Sequence, residues 1–268
     1  MRQFWVSTLV VAAIGLSLGG PAAAAPITKQ VTIRPIQLCD NAGANCAVVN
    51  TYEAAADKIW AQAGIDFAFL PTVQFNSTAF RIVDSQMATF IGATPVTGEE
   101  FAMMDAGSTI WGDPATTNIL NMYFVQDFLF PSGTLFGEGC GAPVYASVCY
   151  NQSGVVINTS AVNAFNSGNG RIDTVAHEVG HVLGLGHTDY GAGAANNLMT
   201  SGGSRTPPEN LANITPNGLN LSQLTSNQDA VALSSAYVQD IAAVPEPASM
   251  LVLAVGLAGL GVWRRRCA

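Results

Sequence analysis

A chain of 268 residues, 49% of them hydrophobic, is long enough for one or two packed domains. Acids outnumber bases 18 to 10 and the formal charge is −8, a balance that repels phosphate backbones. With no basic patch, P-loop or strand-to-helix GxGxxG to offset it, nucleic acid is not an expected partner.

The first 25 residues carry Arg2, an apolar run from Phe4 to Leu18, then Pro21 and four alanines. This is the pattern of a secretory signal peptide, cut before Ala25 or Pro26. An N-terminal anchor is the alternative, but the run is short against the ~20 residues of a bilayer span. Setting aside Arg2, Arg264, Arg265 and Arg266 leaves 6 of the 10 bases, and setting aside Glu246 leaves 17 of the 18 acids, so the body between the ends is about −11. Four of the 5 cysteines fall in that body as two close pairs, and Cys267 lies in the tail. Export permits disulfides, and the spacing suggests Cys39–Cys46 and Cys140–Cys149. Free thiols or crossed connectivity stay open, because spacing does not determine pairing.

Val31 to Leu38 alternates apolar and polar residues around Pro35, which predicts a strand. Tyr52 to Ala63 places Tyr52, Ala55, Ala56, Ile59, Trp60 and Ala63 on one helical face, and Gly64 stops it. Ile65 to Leu70 is a second strand, ended by Pro71. Asn76 to Pro114 reads as an insertion over the sheet, with a helix over Thr97 to Met104 opened by a Thr97/Glu100 capping box. Asn118 to Phe128 has the composition of a buried strand, with Tyr123 and Phe124 in the core. Asp105, Asp113 and Asp127 are the acids among which calcium could bind. Gly133 to Gly154 is glycine-rich and holds the second cysteine pair, and Val155 to Asn158 is the next strand. A loop over Asn166 to Gly170 leads to the one stretch rich in chemistry.

That stretch is Thr174 to His187, TVAHEVGHVLGLGH, and it contains all 3 histidines of the chain. Four residues apart on a helix, His177 and His181 share a face, so two imidazole nitrogens can meet one zinc ion. Glu178 is turned roughly 100° away, beside the metal, where it can take a proton from a bound water. Gly184 can adopt the left-handed backbone that ends a helix, letting the chain double back and deliver His187 as third ligand. Three protein ligands with one open position describe a catalytic rather than a structural zinc site.

The extended string HExxHxxGxxH resembles the zinc site of the metzincin metalloproteases. Asn197-Leu198-Met199-Thr200, with Met199 twelve residues after His187, resembles the methionine turn that lies beneath the metal in that family. The resemblance implies an α+β zincin domain over residues 26–243, with a mixed twisted sheet, an active-site helix and a C-terminal helix. Its cleft would divide upper and lower parts near residue 188. The strand–helix–strand start fits the same family. So does an edge strand within Gly139 to Ala146 that would bind a peptide backbone by strand addition. The implied activity is a zinc endopeptidase, with Glu178 as general base and Met199 as floor of the site. Two positions depart from familiar subfamilies. Ser201 stands where some members carry a transition-state tyrosine, and Thr188-Asp189 follow the third histidine.

Gly191 to Asn197 is a glycine- and alanine-rich link, and Ser201 to Asn220 a loop that shapes one wall of the cleft. Thr225 to Gln228 is a capping box that predicts a helix through Tyr237. Finally, Val244-Pro245-Glu246-Pro247, an apolar run from Ala248 to Trp263 and Arg264-Arg265-Arg266 resemble the PEP-CTERM sorting tail of Gram-negative bacteria. A plain C-terminal anchor fits the run equally. The resemblance implies residues 244–268 as a transient inner-membrane anchor processed by an exosortase, and a final location at the cell surface or in an exopolysaccharide matrix. The competing functional reading is a non-catalytic matrix protein with a structural zinc site. A carbohydrate-binding module is a weaker rival, since no catalytic carboxylate pair can be placed and aromatics are 8%.

Overall fold

Both faces of the central strands are apolar, so the sheet must be covered on both sides. A computed structural model of the protein describes residues 26–84, 88–91, 94–129, 134–141, 152–187 and 194–241. The leader, the tail, Cys149, Thr188, Asp189, and residues 142–146 of the expected peptide-binding stretch lie outside the described residues.

The elements in chain order are β1 (Lys29–Cys39), α1 (Glu53–Trp60), β2 (Ile65–Phe69), β3 (Val73–Asn76), β4 (Ile82–Asp84), β5 (Ala88–Ile91), β6 (Thr94–Thr97), α2 (Glu99–Trp111), α3 (Pro114–Thr117), β7 (Ile119–Val125), β8 (Asp127–Leu129), β9 (Gly137–Cys140), β10 (Gly154–Asn158), α4 (Thr159–Gly168), α5 (Thr174–Val182), α6 (Ser226–Leu233) and β11 (Val238–Asp240). The fold is α+β, built on a seven-stranded mixed sheet. β1 pairs in parallel with β2, β3 and β7, and β7 in parallel with β10. β9 closes one edge, antiparallel to β10, and β11 runs antiparallel to the start of β1. Pro35 lacks an N–H to donate, and it falls in the gap where β2 ends opposite Ile33 and β3 begins opposite Ile36.

Period-two alternation sorts the strands into two cores. Leu120, Met122 and Phe124 of β7 and Val155 and Ile157 of β10 face one way, with Trp60 of α1 and Val175 and Val179 of α5. Tyr123, Val125 and Val156 face the other way, with Met103 and Met104 of α2. Tyr123 and Phe124 are both fully buried. Cys39 and Cys46 form a disulfide that ties the end of β1 to the loop after it.

Three expectations need correction. The helix placed at Thr97 starts at Glu99 and runs to Trp111; Gly98 is its N-cap, no side chain caps it, and Thr97 ends β6. Glu100 does not close a capping box, because its side chain turns into the core and is fully buried. The strand over Asn118 to Phe128 divides into β7 and β8 around Gln126. The Thr225/Gln228 capping box forms, but α6 ends at Leu233, and Val238 to Asp240 returns to the sheet as β11.

Glu100 is costly where it sits. Among the described residues neither carboxylate oxygen has a hydrogen-bond partner, and one of them lies within 4.8 Å of a Glu138 carboxylate oxygen. Burial pushes the Glu100 carboxyl well above 4.5, and the neighbouring Glu138 pushes it further. Burial pushes Glu138 up to about 7. Folding therefore takes up protons at this pair, so stability present at and below about pH 4.5 is lost as pH rises through 7. Glu100→Gln removes one titrating group and should stabilise the fold by on the order of 1–3 kcal/mol at pH 8 and by little at pH 5. Melting temperatures at the two pH values check this; an equal shift at both would contradict it.

Candidate active site

Helix α5 ends in a backbone reversal that decides where the third histidine goes. Gly184 adopts φ +97°, its N–H donates to His181 O at 3.0 Å, and Leu185 N–H donates to Gly180 O at 3.0 Å. This paired pattern is the Schellman turn, which a residue with a Cβ adopts only with strain. Beyond it, His187 folds back so that its Nε2 lies 3.2 Å from His177 Nε2 and 3.1 Å from His181 Nε2. The third separation, His177 to His181, is 3.2 Å.

Hydrogen bonds from the far side orient two of the rings. His177 Nδ1 is 2.6 Å from Leu198 O and His181 Nδ1 is 2.8 Å from Leu185 O. A carbonyl only accepts, so these bonds place the proton on Nδ1 and leave a bare lone pair on each Nε2. Burial holds the His177 imidazole well below its usual pKa, with Arg205 the next cause. His187 is lowered by burial and then by Arg205. Three neutral nitrogens facing one another repel unless something positive sits among them. Ligands 2.0–2.1 Å from a tetrahedral zinc lie about 3.3–3.4 Å apart, close to the separations seen. The donor set and its spacing fit zinc.

Glu178 follows His177 on the same helix and is 6% exposed. Burial is the main cause that pushes its carboxyl up to about 8, Arg205 opposing and Glu138 adding. It sits beside β9 because that strand presents glycines to the helix. A Cβ on Gly137 would lie 2.9 Å from Glu178 Cγ, and one on Gly139 would lie 2.0 Å from Glu178 O. The histidines, Glu178 and β9 line a cavity of about 490 Å³. Met199 is fully buried and packs on Gly180 of α5, where a Cβ would come 2.5 Å from its sulfur. Asn197 receives the Met199 N–H at 2.9 Å and exchanges two side-chain hydrogen bonds with Gln228, at 2.8 and 3.0 Å.

The sequence reading missed Arg171, Asp173 and Arg205. Arg205 donates to Leu198 O at 2.7 Å and also lies against His177 Nδ1. Its Nε is 3.0 Å from Asp173, and Arg171 Nε is 3.7 Å from the same carboxylate. All three side chains are buried. The one available signal is that a chain with 10 bases spends two of them just before the histidine helix and just after the methionine turn. Asp105, Asp113 and Asp127, the candidate calcium acids, are each engaged locally. Asp113 caps α3, Asp127 accepts from Phe128 N–H and Asn158, and Asp105 is 3.5 Å from Gln152. Cys140 is disulfide-bonded to a partner outside the described residues.

A family model for reprolysin-like metallopeptidases of family M12B matches residues 47–188, more than half of the chain and the whole histidine motif. The chain belongs to that family. Its cofactor is accordingly zinc, and the subfamily that Thr188 and Asp189 left open is settled. A second match identifies residues 243–266 as a PEP-CTERM protein-sorting motif. No curated protein matches. Among solved structures, archaemetzincin from Archaeoglobus fulgidus, complexed with malonate, is 15% identical, with 75% of this chain and 99% of that chain covered and a TM-score of 0.34. A zinc-dependent peptidase from Methanocorpusculum labreanum is 13% identical with the same coverage and a TM-score of 0.40. The fold assignment rests on the sheet and helices themselves.

Asp173 is the single anion between two buried cations. Asp173→Asn in the peptidase should cost about 3–5 kcal/mol, the usual penalty for stranding buried charge. Denaturant unfolding checks this, and a loss under 1 kcal/mol would show the ion pairs to be dispensable.

Proposed function

We propose that the chain is an exported zinc endopeptidase in which His177, His181 and His187 hold the ion and Glu178 is the general base. The observation that carries this reading is the convergence of three Nε2 lone pairs within 3.2 Å beside a buried carboxylate. Zinc, when bound, supplies a Lewis acid that polarises a carbonyl and acidifies water. Leu198 O and Leu185 O hold the imidazoles in the ligating tautomer, and Met199 and Gly180 fix the turn below them. Glu178 takes the proton of the attacking water and returns it to the leaving amine. A cation held by the three histidines would draw the Glu178 pKa down from its raised value, which would suit a base at neutral pH. No strand covers the outer edge of β9 among the described residues, which supports binding of an extended peptide through both ends of the cleft. A non-catalytic matrix role has no chemical need for a carboxyl group beside the metal position.

Around this site we assign residues 1–25 to a signal peptide, 26–243 to the peptidase domain and 244–268 to a sorting tail cut by an exosortase after transient anchoring in the inner membrane. Cys140 pairs with Cys149 in this assignment. No helix among the described residues is long and apolar enough to cross a membrane, and the apolar tail lies outside them.

Glu178→Gln should keep stoichiometric zinc and lower kcat on an unstructured protein such as casein by about 10²–10⁴-fold. His181→Ala should lose both the metal and the activity, and a chelator should abolish casein hydrolysis by the unaltered enzyme. Metal analysis and turnover assays read all three. Undiminished cleavage by the Gln variant would remove Glu178 from the mechanism.

A further inference from the structure

The cavity beside the histidines has one wall whose charge the reaction does not use. Arg171 and Arg205 face a single carboxylate, Asp173, so one positive charge is left over. Arg205 is spent on the site itself, donating to Leu198 O at 2.7 Å and Thr200 O at 3.3 Å. Arg171 is engaged at two nitrogens, with Nη2 donating to Gly202 O at 3.2 Å and Nε turned to Asp173 at 3.7 Å. Among the described residues its Nη1 has no hydrogen-bond partner. Its guanidinium carbon lies over the Phe136 ring, 4.5 Å from the centroid, a cation–π contact that helps hold the group in place. The loop opposite leaves room in front of it. Gly202 carries no side chain where a Cβ would come 3.3 Å from Nη1, and a Cβ on Gly203 would meet nothing within 4 Å.

The strand gives this wall a side relative to the scissile bond. Following β9 forward, Gly137 lies against Glu178, Gly139 against Glu178 and His181, and Gly141 against Val182. A peptide added antiparallel to β9, the better-bonded pairing, runs the other way. It passes Val182 first and His181 next, then Glu178, and leaves toward Phe136 and Arg171. The residue that follows the scissile bond therefore faces the Arg171 wall. The acids nearest this wall are Asp173, already shared, and Glu178, committed to the reaction.

We propose that the peptidase selects substrates with Asp or Glu immediately C-terminal to the scissile bond, with the Arg171 guanidinium as the group that reads the carboxylate. This rests on the endopeptidase reading above. Nη1 of this fixed guanidinium can give a carboxylate a charge-assisted hydrogen bond, stronger than the one it would give a neutral amide, and a lysine there meets repulsion. If Arg171 only braces the Gly202 loop, replacing it slows all substrates alike; if it reads charge, replacing it changes their ratio.

The test uses the zinc-loaded full-length protein. Cut sites in an undirected peptide library identify a cleavable core. Matched quenched peptides then differ only in the residue after the cut: Asp, Glu, Asn, Ala or Lys. We expect kcat/KM for Asp and Glu to exceed that for Asn and Ala by at least about tenfold, with Lys poorest. Rising salt should weaken the acidic preference, and Arg171→Met should bring the Asp-to-Ala ratio to near one. The wild-type ratio is decisive even if the variant fails to fold. Equal rates for Asp, Asn and Ala, or an acidic preference on the N-terminal side instead, would overturn this inference and leave the endopeptidase standing. A zinc-bound protein that cleaves nothing in the library would overturn both.

Discussion

Two backbone carbonyls decide what the histidines can do. Leu185 O and Leu198 O each receive an imidazole Nδ1–H, and this turns the opposite nitrogen of each ring, bare, toward a common point. Each carbonyl is placed by a separate device. The left-handed Gly184 reverses the chain so that Leu185 O lies under His181. The turn through Asn197 and Met199 brings Leu198 O under His177, with Gln228 of the last helix and Arg205 holding it there. The metal position thus depends on segments from α5 to α6, although its three nitrogens come from eleven consecutive residues.

The close approach of α5 to the sheet edge is the second constraint. Glycine at 137, 139 and 141 removes the side chains that would hold the helix away, and Glu178 rests almost on the strand. Glu178 and the outer edge of β9 are thereby set side by side without any loop to position either. The scarcity of charge is consistent with this economy. The acids and bases that are buried among the described residues, Glu100, Asp173, Glu178, Arg171 and Arg205, cluster around the site or one strand away from it.

Short-range patterns made the site legible. HExxHxxGxxH is read from helical spacing and one glycine, and the capping box at Thr225 and Gln228 is a three-residue signal that the structure repeats. Strands β1, β7 and β10 were visible because their apolar runs are bounded by turn residues. What failed was decided at long range. Glu100 has the spacing of a cap and the location of a core residue, since α2 packs that face on β7 and β9. Arg205 meets Asp173 across 32 positions of sequence, and no local pattern couples them. The early end of α6 follows from β11 pairing with Lys29–Val31, a contact that joins the two ends of the described chain.

That last contact has a consequence for where the two ends lie. Thr28 O accepts from Ile241 N–H at 3.1 Å, so the two ends of the described chain are neighbours at the beginnings of the parallel strands. Phe136 and Gly137 stand at the opposite extremity, beside Ile157 and Asn158 where those strands finish. Seven residues of β7 separate the two levels, about 23 Å. The two ends of the described chain thus lie at one end of the sheet, and the cavity bordered by Phe136 and the arginines lies at the other.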